Sequence, residues 1–171
     1  MAIHDDGVAR AQMTPGHTAS NSILFGEDGS ILSGYNNEST EFGFRTMAVG
    51  PGGVEVTNVK EGLIGVFYAR IEYAGGRIYS TNGVVIDPAR RVRVGEFAAV
   101  GATVLPDVEL GRACFLDSGT VSAYDLNTLQ LLGSVFVDAT AGRAPRCLRN
   151  RSVATFATRA THDATTLRRP R

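Results

Sequence analysis

The stretch from residue 22 to residue 137 is cut into brief apolar runs by Gly, Pro, Asn and Asp. No long window in it places apolar residues at i, i+3, i+4 and i+7. A chain written this way cannot bury a helix stripe; it can only bury faces of short strands. The runs that read as strands are Ser22–Phe25, Ile31–Tyr35, Phe44–Val49, Val54–Val59, Ala69–Tyr73, Arg77–Ser80, Gly83–Ile86, Arg91–Phe97, Thr103–Leu105, Arg112–Leu116, Thr120–Tyr124 and Leu129–Val137. Asp28-Gly29, Gly75-Gly76, Asn82-Gly83 and Ser118-Gly119 each join two of them. Such pairs accept positive φ and suit tight hairpins, so consecutive strands are expected to pair antiparallel.

The pattern also repeats. Val49-Gly50-Pro51, Ile86-Asp87-Pro88 and Tyr124-Asp125-Leu126-Asn127 each close one strand and open a turn into another. Gly50 and Asp87 are 37 residues apart, and Asp87 and Asp125 are 38 apart. Four strands in about 35–45 residues is the size of one blade of a β-propeller. The expectation is therefore an all-β chain, a partial propeller of about three four-stranded antiparallel blades. The first unit differs by a polar insertion, Asn36-Asn37-Glu38-Ser39-Thr40-Glu41, before its third strand.

The segment from Ile23 to Val137 resembles bacterial β-propeller proteins of the YVTN and quinoprotein-like repeat type. The resemblance is carried by Ile23-Leu24-Phe25-Gly26 with Gly34-Tyr35-Asn36-Asn37-Glu38, by Arg77-Ile78-Tyr79-Ser80-Thr81-Asn82-Gly83 running to Asp87-Pro88, and by Leu110-Gly111-Arg112 through Ala123-Tyr124-Asp125-Leu126-Asn127-Thr128. Tyr79-Ser80-Thr81-Asn82 takes the place of the family's eponymous tetrapeptide. These motifs speak for a fold and leave activity open. The resemblance implies an extracellular or cell-surface location for the full-length protein, although this chain carries no signal peptide.

Three domains follow: a linker or disordered segment over 1–19, propeller blades over 20–138, and a basic tail over 139–171, disordered or out of frame. Charge marks the last boundary. Residues 1–140 hold 16 acids against 9 Lys or Arg, whereas residues 141–171 hold one acid, Asp163, against 8 Arg. A truncated or frameshifted reading of a longer gene and a natural disordered tail both account for it. Propellers close with about four to eight blades. Three leave apolar blade faces open, of several hundred Å² or more, so the isolated chain is expected to self-associate or fold poorly.

Chemistry-bearing residues are sparse. His4, His17 and His162 fall in loops with no partner at metal-ligand spacing. Asp87 and Asp125 recur at one position of the unit. They read either as ligands around a central channel or as turn residues accepting backbone N–H bonds, and Pro88 and Asn127 favour the turn. The Asn36–Glu41 loop lacks EF-hand spacing and reads as an exposed polar loop. Gly50-Pro51-Gly52-Gly53 joins two strands, so it reads as a hairpin turn and no phosphate cradle. Asn37-Glu38-Ser39 and Asn150-Arg151-Ser152 fit the glycosylation sequon. Cys114 reads as a small buried hydrophobe; a bridge to Cys147 stays open, but two thiols make no framework. The Arg-rich tail lacks interleaved aromatics, so nucleic acid is not an expected partner.

The sequence therefore assigns no catalytic, cofactor-binding or metal-ligating residue and implies no cofactor. It points to a non-catalytic binding or structural module that meets a protein or other ligand through its blade loops. The alternative is a fragment of a propeller enzyme, lactonase- or quinoprotein-like, with an incomplete active site.

Overall fold

The computed structural model describes residues 1–14 and 21–137, together with the backbone of two short strands near the C-terminus. Among the described residues there are sixteen strands. The first two, β1 (His4–Asp5) and β2 (Val8–Ala9), form a small hairpin. Then come three four-stranded sheets. Sheet I holds β3 (Ser22–Phe25), β4 (Ile31–Tyr35), β5 (Phe44–Gly50) and β6 (Gly53–Lys60). Sheet II holds β7 (Ile71–Ala74), β8 (Arg77–Ser80), β9 (Val84–Asp87) and β10 (Val92–Glu96). Sheet III holds β11 (Thr103–Asp107), β12 (Arg112–Asp117), β13 (Thr120–Asp125) and β14 (Leu131–Phe136). A last pair, β15 (Arg146–Leu148) and β16 (Thr155–Ala157), is antiparallel.

In every large sheet the spatial order is the chain order, and every neighbour is antiparallel. Each of the twelve runs read from the sequence overlaps one of these twelve strands, with ends shifted by at most two residues. The first strands of successive sheets approach one another, β3 beside β7 and β7 beside β11, and β15 approaches β11 in turn. Three meander sheets, packed face to face and converging on their first strands, make a partial β-propeller.

Period-2 alternation decides what each face buries. Sheet II is covered on both faces. Ile78, Val84 and Ile86 turn toward sheet I, where they pack with Tyr35, Phe44, Leu63, Ile64 and Ile71. Tyr79 and Val85 turn toward sheet III, where they pack with Phe97, Val104, Ala113, Phe115 and Tyr124. This second interface is an aromatic cluster. Phe97 lies edge-on to Phe115 at 5.4 Å and to Tyr124 at 5.5 Å, distances at which ring quadrupoles attract.

The two outer faces are buried differently. On sheet I, Leu32, Met47 and Val54 are capped by Met1 and Ile3 beside the N-terminal hairpin. The polar segment read as a linker thus carries structure. Asp6 (φ 48°) and Gly7 (φ 85°) form its turn, and Gln12 bridges Gly53 in parallel. Gly53 has φ +132° and lies so close to the Gln12 carbonyl that any side chain there would collide with it. His4, expected in a loop, is an exposed residue of β1. On sheet III the outer face holds buried Cys114, Val121 and Ala123, flanked by Leu105, Leu116 and Val137. The basic tail, with Cys147, His162 and Asn150, lies outside the described residues apart from the backbone of β15 and β16, as does His17.

Candidate functional site

Antiparallel order puts two kinds of connection on opposite rims. One rim carries the turns between first and second strands and between third and fourth strands. The other carries the turns between second and third strands and the linkers from sheet to sheet.

The first rim carries turns closed by aspartates. Asp87 Oδ1 accepts the Arg90 N–H at 3.0 Å, and its Oδ2 pairs with Arg77 Nη1 at 2.7 Å. Asp125 Oδ1 accepts from the N–H groups of Asn127 and Thr128 at 2.9 and 2.8 Å. The Arg90 N–H, aided by the Arg77 guanidinium, holds the Asp87 carboxyl below the usual carboxylate range. The Thr128 and Asn127 N–H groups do the same for Asp125. Asp107, which the sequence reading passed over, accepts the Leu110 N–H at 3.0 Å. Each of these Asp residues is followed, four positions on, by a left-handed residue: Arg91 (φ 56°), Gly111 (φ 63°) and Leu129 (φ 61°). The repeated aspartates are therefore one turn used three times, with one carboxylate oxygen of each committed to it. Among the described residues, no three His, Cys, Asp or Glu side chains come together as a metal site.

The second rim is built from buried polar groups and exposed apolar ones. Its centre is the linker over residues 61–70, from β6 to β7. Leu63, Ile64 and Ala69 point into the core. The Tyr35 hydroxyl donates to the Val66 carbonyl at 2.7 Å and accepts the Val66 N–H at 3.0 Å. Burial of this phenol pushes its pKa up. Asn37 Nδ2 donates to the Ala69 carbonyl at 2.7 Å, and the Asn37 carbonyl accepts the Tyr68 N–H at 3.0 Å. Thr81 exchanges two bonds with the Arg70 backbone, at 3.1 and 3.0 Å.

This corrects the exposed-loop reading of Asn36–Glu41 at its first two residues, while Glu38, Thr40 and Glu41 are exposed as expected. Asn36 and Asn37 are only 4% and 7% exposed. Asn36 Nδ2 reaches Ser39 Oγ at 2.6 Å and Glu41 Oε2 at 3.1 Å. Glu41 Oε1 in turn pairs with the buried guanidinium of Arg45 at 2.5 Å. A buried guanidinium needs such a partner, because desolvation of the charge is costly. The Asn36, Glu41 and Arg45 contacts are local, whereas the Asn37 bonds to Tyr68 and Ala69 join residues 31 and 32 positions apart, and no local spacing announces those.

Pinned at both ends, the linker holds its middle outward. Phe67 is 48% exposed and Tyr68 is 80% exposed. Phe67 meets Phe42 edge-on at 4.7 Å and lies 6.2 Å from Tyr68. Phe42 (φ 46°) and Tyr68 (φ 60°) are both left-handed, a conformation that bulky residues rarely hold. The sequence reading missed these aromatics. Their signal was present: Val66-Phe67-Tyr68 is an apolar triplet in a segment too long for a hairpin turn.

The next linker, 97–102, follows the same plan. Phe97 anchors it, the Tyr124 hydroxyl donates to the Ala98 carbonyl at 2.9 Å, and Val100 is 74% exposed. The linker packs on Gly83 (φ +92°), where a side chain would overlap the Phe97 carbonyl. A pocket of about 260 Å³ opens here, lined by Val100, Phe115, Asp117, Ser118, Ser122 and Tyr124.

A scan of protein-family models finds no match to this chain, and a search of curated proteins finds none. Solved structures do resemble it. Kluyveromyces lactis Hsv2 with its complete loop 6CD matches over 67% of this chain at 13% identity and a TM-score of 0.45. The same protein with loop 6CD replaced by a Gly-Ser linker matches over 69% at 12% identity and a TM-score of 0.46. The chain spans 35% and 40% of those two chains.

Proposed function

We propose that the protein is a non-catalytic binding module that holds its partner on the linker rim. The observation that carries this reading is the presentation of Phe67 and Tyr68, exposed on a backbone clamped by buried Tyr35, Asn37 and Thr81. An apolar loop that was free to move would fold its rings away from water. A clamped loop keeps them displayed, and a partner then binds without the entropy cost of ordering the loop. Exposed aromatics on a rigid frame are the usual anchors of binding hot spots. The Asp turns and the buried Tyr79-Ser80-Thr81 support placing the blades with the YVTN and quinoprotein-like repeats.

The test is site-specific photo-crosslinking in cells with a probe at position 68 or, on the opposite rim, at position 128. The expected result is one discrete adduct from position 68 that disappears in Phe67→Ala. Equal labelling from both positions would defeat the proposal.

A further inference from the structure

We infer that β14 is a docking edge for a second copy of this chain, pairing antiparallel with its own counterpart across a two-fold axis. The argument starts from the three fourth strands, β6, β10 and β14, each of which ends its sheet. An outer strand presents unpaired N–H and C=O groups, a template for another strand unless something blunts it.

All three share one protection. Each carries a one-residue bulge against its third strand: Thr57 between Val56 and Asn58, Val94 between Arg93 and Gly95, and Leu132 between Leu131 and Gly133. Charge separates them. Strand β6 carries Glu55 and Lys60, and β10 carries Arg93 and Glu96, which pair with each other. Strand β14, Leu-Leu-Gly-Ser-Val-Phe, carries no charge at all. All six of its residues are exposed, with Leu131 and Leu132 at 54%, Val135 at 43% and Phe136 at 73%. So β14 has the lone edge of the three that invites pairing by composition as well as by geometry.

Self-pairing follows from the register. Beyond the bulge, Gly133 to Phe136 runs regularly against β13, from Ala123 to Thr120. Two copies of one strand, paired antiparallel in a continuous sheet, are related by an axis normal to that sheet, so the contact is isologous. Paired residues point to the same face, which makes their numbers share parity. With the axis at Val135, that side chain faces its own copy on the face that holds Val121. On the other face, Phe136 lies over Ser134 of the second copy. No like charges meet anywhere in the pairing, because β14 carries none.

The test uses the full chain. Sedimentation velocity over a concentration series is expected to show a monomer–dimer equilibrium. Val135→Lys, which sets two ammonium groups against each other at the axis, is expected to leave a monomer with unchanged circular dichroism; Val94→Lys on β10 is expected to leave the dimer intact. Should Val135→Lys not fold, Val135→Cys with Cys147→Ser is a milder probe, expected to give a covalent dimer on mild oxidation. A monomeric parent chain, a dimer that survives Val135→Lys, association that Val94→Lys abolishes, or failure of Val135→Cys to cross-link would each overturn the inference. None of these readouts involves Phe67 or Tyr68, so the binding-rim proposal stands or falls separately.

Discussion

On one rim, Asp87, Asp107 and Asp125 each close a four-residue turn, and every carboxylate bond runs to a residue at most ten positions away. On the other, Tyr35 and Asn37 bond residues 31 and 32 positions away. The first rim is assembled from local chemistry and hides little. The second needs the tertiary fold before its bonds exist, and it spends them on holding aromatic rings in water. Scaffolding explains the first rim completely. It does not explain why a linker should be clamped so as to expose Phe67 and Tyr68, and loops held in strained, displayed conformations are where function concentrates.

This contrast is open to tests of decreasing size. Phe97 anchors a linker and the aromatic interface at once, so Phe97→Ala is expected to cost about 3–5 kcal/mol in urea unfolding. A cost within about 0.5 kcal/mol, the size of an ordinary surface change, would mean that the linker rim is not tied to the core. Tyr35→Phe removes one oxygen and leaves the Val66 N–H and carbonyl unpaired. A loss of about 1–3 kcal/mol is expected, with hydrogen exchange at Val66 accelerated and exchange at Asn127 unchanged.

The turn rim is expected to answer to pH instead. The carboxyls of Asp87 and Asp125 titrate below their unfolded values. The stability they contribute is therefore fully present above the ordinary carboxylate pKa and is lost as pH falls through their folded values. Unfolding midpoints measured from pH 6 down to pH 3 are expected to decline, and the double variant Asp87→Asn with Asp125→Asn is expected to decline less steeply. Smallest of all is the effect of Phe67→Ala with Tyr68→Ala on stability, within about 0.5 kcal/mol as for exposed sites generally. Cross-linking from a probe at position 68 is expected to vanish with Phe67→Ala all the same. A large loss of stability would turn the displayed rings into structural ones.

How much of this was legible in the sequence follows the same division. The strands were legible because alternation and turn residues are local signals. Asp87 and Asp125 were legible as turn residues for that reason, and Asp107 obeys the same rule at the end of a first strand. The bulges at Thr57, Val94 and Leu132 left no mark, because a bulge adds a residue without changing the run of strand formers. The burial of Asn37 was illegible because its partners, Ala69 and Tyr68, arrive from the next linker. The hairpin over Asp6-Gly7 had a turn signal, but its runs are two residues each. Patterns that short do not distinguish a strand from a loop.

Sheet II touches two neighbours, whereas sheets I and III each touch one of the large sheets, and the cores on its two faces share no residue. Disassembly should then proceed from the flanks inward. Losing sheet III strips Tyr79 and Val85 but leaves the Ile78, Val84 and Ile86 side covered, and losing sheet I does the reverse. The amides of β8 and β9 are the last to meet solvent on either route. They mark the slowest-exchanging centre of a stack whose ends fray first.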